Sequence, residues 1–210
     1  RPGILNILKY LKHKKHRKIC SKVIIYTNNQ GPKEWTVQIK DYLDLKVKDK
    51  LFDHIISAFK VNGRHVEIGR TSHEKNVGDF INCTNLPANT QVFFLDDQYH
   101  MGMEDKNVYY INLFPYVYHL EWNVMIDKFW EEFKNELDTS ITKDYFTSKI
   151  MACINRYNVS IEEKSKEEYD AEMVVSMRII KHLKEFFSDV PNHYTRGRKL
   201  SNNKTKKKST

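Results

Sequence analysis

Cysteine is scarce in this chain of 210 residues, and its placement suits neither cross-linking nor metal binding. Cys20, Cys83 and Cys153 are odd in number, widely spaced and never arranged as C-x-x-C. That excludes a disulfide scaffold and points to free thiols in a reducing, intracellular compartment, cytoplasm or nucleus. No Cys/His cluster has zinc-ligand spacing, which excludes a structural zinc site. No apolar run approaches the roughly 18 residues a membrane span needs, so no membrane partner is expected. A secretory leader pattern is also missing from the start. The chain does not open on Met, and its first residues already read as helix, so it is expected to begin partway through a longer protein.

Acidic residues are missing from two places, and this decides how the net charge of +8 is read. Residues 9–22 hold seven Lys/Arg and no acid, residues 196–210 hold another seven and no acid, and Arg1 adds one. With fifteen of 35 basic residues so placed, the remainder carries 20 bases against 27 acids, a net −7. A uniformly basic nucleic-acid-binding surface is therefore not what the chain encodes. The first basic patch ends a helix, where cations suit the macrodipole; a solvated helix end and a contact with nucleic acid or an acidic partner both stand as readings. For the tail, a flexible solubilising end and a weak nucleic-acid contact both stand.

With 40% hydrophobic and 12% aromatic residues, the chain can bury a core. Ile4, Leu5, Ile7, Leu8 and Leu11 recur at helical spacing behind Pro2. Val23–Tyr26 is a short, continuously apolar strand, and residues 32–45 read as the helix after it, with Trp35, Val37, Ile39, Tyr42 and Leu43 partly on one face. A second strand is expected over 54–57. Asn62-Gly63 signals a small hairpin. Thr71-Ser72-His73-Glu74 fits a capping box, so a helix is expected from there with Lys75 in its first turn. A third strand covers Val92–Leu95 and a fourth lies within 107–113. Short apolar strands alternating with helices predict an α/β fold with a parallel sheet. From residue 118 the pattern is helical. The expected division is an α/β core over 1–117, a helical extension over 118–192 and a disordered basic tail over 193–210.

In such a sheet, ligands bind beyond the C-terminal strand ends. Thr27-Asn28 follows one strand, Asp96-Asp97 follows another, and Lys75 lies between them in sequence. The Thr27 hydroxyl and the backbone amides after it can hold phosphate oxygens at a helix start; an ordinary turn ends the strand equally well. Adjacent carboxylates repel each other, and Mg²⁺ relieves that; a turn or a helix cap is the plain alternative. Lys75 taken alone reads as a solvated lysine.

Taken in order, the set resembles the haloacid dehalogenase-like superfamily of phosphohydrolases. "VIIYTNN" is similar to its second motif, "TSHEKNVGDF" to its lysine motif and "VFFLDDQ" to its acidic fourth motif. "RPGILNILKYLK" resembles the opening helix of the NLI-interacting-factor-like phosphatases, the branch that includes RNA polymerase C-terminal-domain phosphatases. The resemblance covers residues 1–115. It implies a Rossmann-like sheet flanked by helices and Mg²⁺-dependent phosphoryl transfer through an aspartyl-phosphate, with a phosphoprotein as one candidate substrate. It assigns Thr27 and Asn28 to the phosphoryl group, Lys75 to charge neutralisation, and Asp96 and Asp97 to the metal. The family's D-x-D-x-[TV] nucleophile motif is missing; Asp41-Tyr42-Leu43-Asp44 has the wrong spacing and follows the second motif. The nucleophile is therefore expected upstream of Arg1, and this chain alone is expected to be inactive. Two alternatives remain open: an inactive binding module of the same fold, and a polynucleotide 3′-phosphatase, whose T-N-Q-x-G second motif "TNNQG" also resembles. The short segment over 59–70 leaves no room for a large cap, so an open site for a macromolecular substrate is expected.

Overall fold

The computed structural model describes residues 1–116, 120–156 and 164–188. The expected basic tail over 193–210 lies outside the described residues. The chain divides into two compact units. A core unit comprises Gly3–Pro115 with the stretch from Val175 onward, and a helical unit comprises Arg1–Pro2 with Tyr116–Val174.

The core unit opens with α1 (Ile4–His16), whose N-cap Gly3 has φ 78°, a conformation glycine adopts without strain. Leu8 packs with Val23, Val47 and Leu51 in one buried cluster, and Ile7 packs with Ile179 and Leu183 in another. The α1 stripe therefore serves two clusters. Part of the basic run at its end is used within the chain. Lys12 Nζ donates to the carbonyls of Val47 and Lys48 at 3.0 and 3.1 Å. Lys15 Nζ reaches Leu51 O at 2.7 Å and Asp53 at 2.9 Å, and His16 meets Asp49 at 2.6 Å.

Then follow β1 (Ile24–Tyr26), α2 (Lys33–Val47) and β2 (His54–Ile56), with β1 and β2 parallel and Ile25 opposite Ile55. The apolar positions Trp35, Ile39 and Tyr42 of α2 stand exposed. Val47 and the buried Asp44 anchor this helix instead; the Asp44 carboxylate accepts from Leu51 N at 2.9 Å and Phe52 N at 3.3 Å. A two-residue turn, Asn62-Gly63, joins β3 (Lys60–Val61) to β4 (Arg64–His65). Both turn residues have positive φ, as the tight hairpin turns require.

The next helix corrects the sequence expectation. α3 runs over Val77–Thr84, five residues later than the T-x-x-E box implies. Its cap is Asn76, whose side chain accepts from Asp79 N at 2.8 Å. Thr71 instead donates its N–H and hydroxyl to Asp79 at 3.0 and 2.9 Å, so Lys75 sits in the loop before the helix. β5 (Val92–Asp96) and β6 (Val108–Asn112) then form a second parallel pair, in register from Val92–Val108 to Asp96–Asn112. Ile56, Phe80, Val92, Phe94 and Met103 make the main buried cluster.

The fold is thus mixed α/β with short parallel strand pairs. A single parallel sheet was expected; among the described residues β1–β2 and β5–β6 are separate two-stranded sheets, since no backbone ladder joins one pair to the other.

The helical unit contains α4 (Trp122–Phe133), α5 (Lys143–Asn155) and the start of α6 (Lys166–Phe186). Phe129 and Phe146 stack at 5.5 Å, and Trp130 packs on Phe146. Arg1 and Lys164 both pair with Glu172. The second half of α6 belongs to the core unit, where Ile179 and Leu183 are buried. No helix among the described residues is long and apolar enough to cross a membrane.

Candidate functional site

β1 ends where its apolar run ends. Thr27 N continues the ladder to Ile56 O at 3.0 Å, and the chain then folds over its own side chains. Asn29 N donates to Thr27 Oγ1 at 3.0 Å, and Gly31 N donates to Asn29 Oδ1 at 3.1 Å. These are the side-chain turns that Thr and Asn favour. They leave the Thr27 hydroxyl hydrogen and the Asn28 amide uncommitted to the turn.

β5 ends on Asp96, which is enclosed, and Asp97, which is exposed. Asp96 Oδ1 accepts from Gln98 N at 2.9 Å. Its Oδ2 meets Lys75 Nζ at 2.5 Å, with the two side chains only 9% and 8% exposed. Lys75 also lies over the Tyr26 ring, 5.4 Å from its centroid. Gly102 lets the turn after β5 approach this loop, since a Cβ there would come within 2.7 Å of Asn76 Cβ and 2.9 Å of Lys75 O.

Thr27, Asn28, Lys75, Asp96 and Asp97, the five residues singled out in the sequence, line one pocket of about 510 Å³ at the strand ends, together with Tyr26, Asn29, Leu95, Gln98 and Leu113. Sequence reasoning missed three residues that organise it. Arg70, 1% exposed, donates to Thr27 O, Asn28 Oδ1, Ser57 O and His73 O. His100, 3% exposed, joins Glu74 Oε1 at 3.0 Å to Asp96, its Nε2 lying 3.6 Å from Asp96 Oδ1. Tyr26 carries Arg70 and Lys75 over its ring, and burial pushes its phenol up to about 12, so it stays neutral. A lone Arg between turns and a lone His after "DDQY" carry no local pattern that could have flagged them.

A second cavity, about 740 Å³ and mostly apolar, runs alongside the strands. One wall is residues 19–24 and Tyr26; the other is Val92–Leu95 with Thr90 and Gln91 leading in. Ile4, Ile7, Leu8 and Leu11 of α1, Phe80 of α3, and Leu183 and Phe186 of α6 complete the lining. Tyr26 and Leu95 line both cavities, so the two adjoin. The segments preceding both strands line the cleft and the residues following both line the pocket; β1 and β5 therefore point the same way. Each strand has its ladder partner on one side only among the described residues.

No cluster of three or more metal-ligating side chains exists among the described residues. The donors at the pocket are hard carboxylate oxygens from Asp96 and Asp97. That chemistry fits Mg²⁺, which takes one or two protein carboxylates and completes its shell with water and phosphate.

Comparison with family models, curated proteins and solved structures returns no match to this chain.

Proposed function

We propose that this chain is the main part of a Mg²⁺-dependent phosphohydrolase with the Rossmann-like, haloacid dehalogenase-like arrangement, completed by an extended strand in the cleft between β1 and β5. One observation carries the reading: an apolar, strand-lined cleft adjoins, through Tyr26 and Leu95, a pocket lined by Thr27, Asn28, Lys75, Asp96 and Asp97. A strand seated there, supplied by sequence upstream of Arg1, closes the two open edges into one sheet and delivers its last side chains into the pocket. A carboxylate at that position attacks phosphorus, the ester P–O bond breaks, and the leaving oxygen takes a proton. Water then hydrolyses the acyl phosphate.

Within this scheme the chain's own residues bind and neutralise. Thr27 donates its hydroxyl, and Asn28 its amide, to phosphoryl oxygens. Lys75, steered by Asp96, offsets the negative charge that gathers as the phosphoryl group transfers. Mg²⁺ held by Asp96 and Asp97 supplies further charge stabilisation when bound. The β3–β4 hairpin is the sole insertion between β2 and the Lys75 loop, which supports an open site for a macromolecular substrate such as a phosphoprotein. The three free thiols support an intracellular setting.

The test is the longer polypeptide assayed on an aryl phosphate with and without Mg²⁺. Mg²⁺-dependent turnover is expected, lost when the upstream carboxylate is replaced by its amide, and absent from the 210-residue chain. A longer chain with no D-x-D-x-[TV] and no turnover overturns the reading and leaves a non-catalytic binding module.

A further inference from the structure

Arg70, 1% exposed, is the bulkiest of the fully buried side chains among the described residues, and it makes no ion pair there. A buried guanidinium without a carboxylate is costly unless its hydrogens are placed on good acceptors. Nη1 and Nη2 find acceptors in three segments: Thr27 O at 3.3 Å and Asn28 Oδ1 at 2.7 Å after β1, Ser57 O at 3.0 Å after β2, and His73 O at 2.9 Å in the loop before Lys75; Nε finds none among the described residues.

The Asn28 contact has a chemical consequence. Guanidinium nitrogens only donate, so the Asn28 atom facing Arg70 is the amide oxygen. The amide NH₂ then faces away from Arg70, on a residue that lines the pocket, and it has no other partner among the described residues. Thr27 is polarised in the same sense, because its Oγ1 already accepts from Asn29 N and its hydrogen is left to donate. Left to itself, an amide presents oxygen and nitrogen with little preference; Arg70 removes the choice.

We infer that Arg70 is a positioning residue that locks the Thr27-Asn28 corner into a donor-only face, and so makes this side of the pocket specific for an oxyanion. The inference rests on the phosphate reading of the pocket, and it places Arg70 behind the ligand rather than in contact with it.

A double-mutant cycle on the 210-residue chain tests it, with inorganic phosphate binding followed by ³¹P NMR line broadening in the absence of metal and thermal melting recorded for every variant. Arg70→Met is expected to weaken phosphate binding about tenfold in the native background and under about threefold once Asn28→Ala has removed the amide. Arg70→Lys, a point charge without the fork, is expected to fall between native and Arg70→Met, and it carries the cycle if Arg70→Met does not fold. Asn28→Asp keeps a partner for Arg70 but has no NH₂; it should melt no lower than the native chain and lose phosphate binding. An equal Arg70 effect in both Asn28 backgrounds overturns the positioning role and leaves the phosphate reading standing. A native chain that binds no phosphate overturns both.

Discussion

The two parallel strand pairs are built alike and end differently. β1 runs into Thr27, Asn28 and Asn29, neutral side chains that can both donate and accept. β5 runs into Asp96 and Asp97, which when ionised only accept. At the neutral end Thr27 and Asn29 are held by bonds two residues long, Asn29 N to Thr27 and Gly31 N to Asn29, and only Asn28 takes a distant partner, Arg70. The anionic end cannot: Asp96 takes one local amide, from Gln98, and then recruits Lys75 from 21 positions away. A hydroxyl or amide can therefore hold its place at a strand end by turn chemistry, whereas an enclosed carboxylate depends on a cation brought by the fold. The anionic end should be the more fragile of the two in both catalysis and stability.

Substitution at both ends in the catalytically complete polypeptide is the strongest test. Lys75→Ala, or Asp97→Asn, is expected to lower turnover of an aryl phosphate by at least about a thousandfold. Thr27→Ala should lower it by about ten- to a hundredfold, because one donor among several is lost. Equal losses at the two ends, measured as kcat/KM, break the comparison.

Urea denaturation of the 210-residue chain sharpens it. Lys75→Met strands the Asp96 carboxylate in its enclosed position and should cost about 3–5 kcal/mol. Thr27→Val removes one turn hydrogen bond and should cost about 1 kcal/mol. Phe94→Ala, in the cluster beneath β5, is expected to cost about 3–5 kcal/mol, and Ile56→Val beneath β2 only about 0.5–1.5 kcal/mol.

Smaller effects are expected at α3. Asn76→Ala removes the cap that accepts from Asp79 N and should cost about 1 kcal/mol, read as a shift in the urea midpoint. Cys83, on the same helix, is raised from 9.0 to about 11, first by burial and then by the charges of Glu67 and Asp79. A thiol so raised contributes its full stability below pH 9. Above that, the unfolded thiol ionises while the folded one stays protonated, so stability falls as pH rises towards 11. Cys83→Ala should flatten that alkaline decline. At pH 8 the exposed Cys153 should react with a thiol reagent well before Cys83.

Much of the chain's layout is legible in local pattern. Ile24–Tyr26 and Val92–Asp96 fall within a residue or two of where apolar runs place them, and α4, α5 and α6 lie where the pattern turns helical after residue 118. α3 does not start where expected, because two capping signals compete over nine residues. Thr71-x-x-Glu74 and Asn76-x-x-Asp79 are both plausible boxes, and the fold turns the first into a tether on Asp79. The exposed Trp35, Ile39 and Tyr42 face of α2 shows the same limit. Spacing makes the helix, but the helix is held by Val47 and the buried Asp44. At the pocket, Thr27, Asn28 and the Asp pair adjoin recognisable strands, whereas Lys75 was singled out through a capping box that the structure does not form. Arg70 and His100 adjoin nothing of the kind.

The sequence by itself determined where the strands and every helix but α3 begin, and which polar residues stand at the strand ends, since these follow from side chains within a few positions of one another. Tertiary structure alone decided that Lys75 neutralises Asp96, that Arg70 turns the Asn28 amide, and that β1 and β5 line one apolar cleft. The physical reason is range. Burying a charge leaves it to find a partner wherever the packed chain brings one, here 21 residues from Asp96 and 42 from Asn28, and no local pattern encodes that distance.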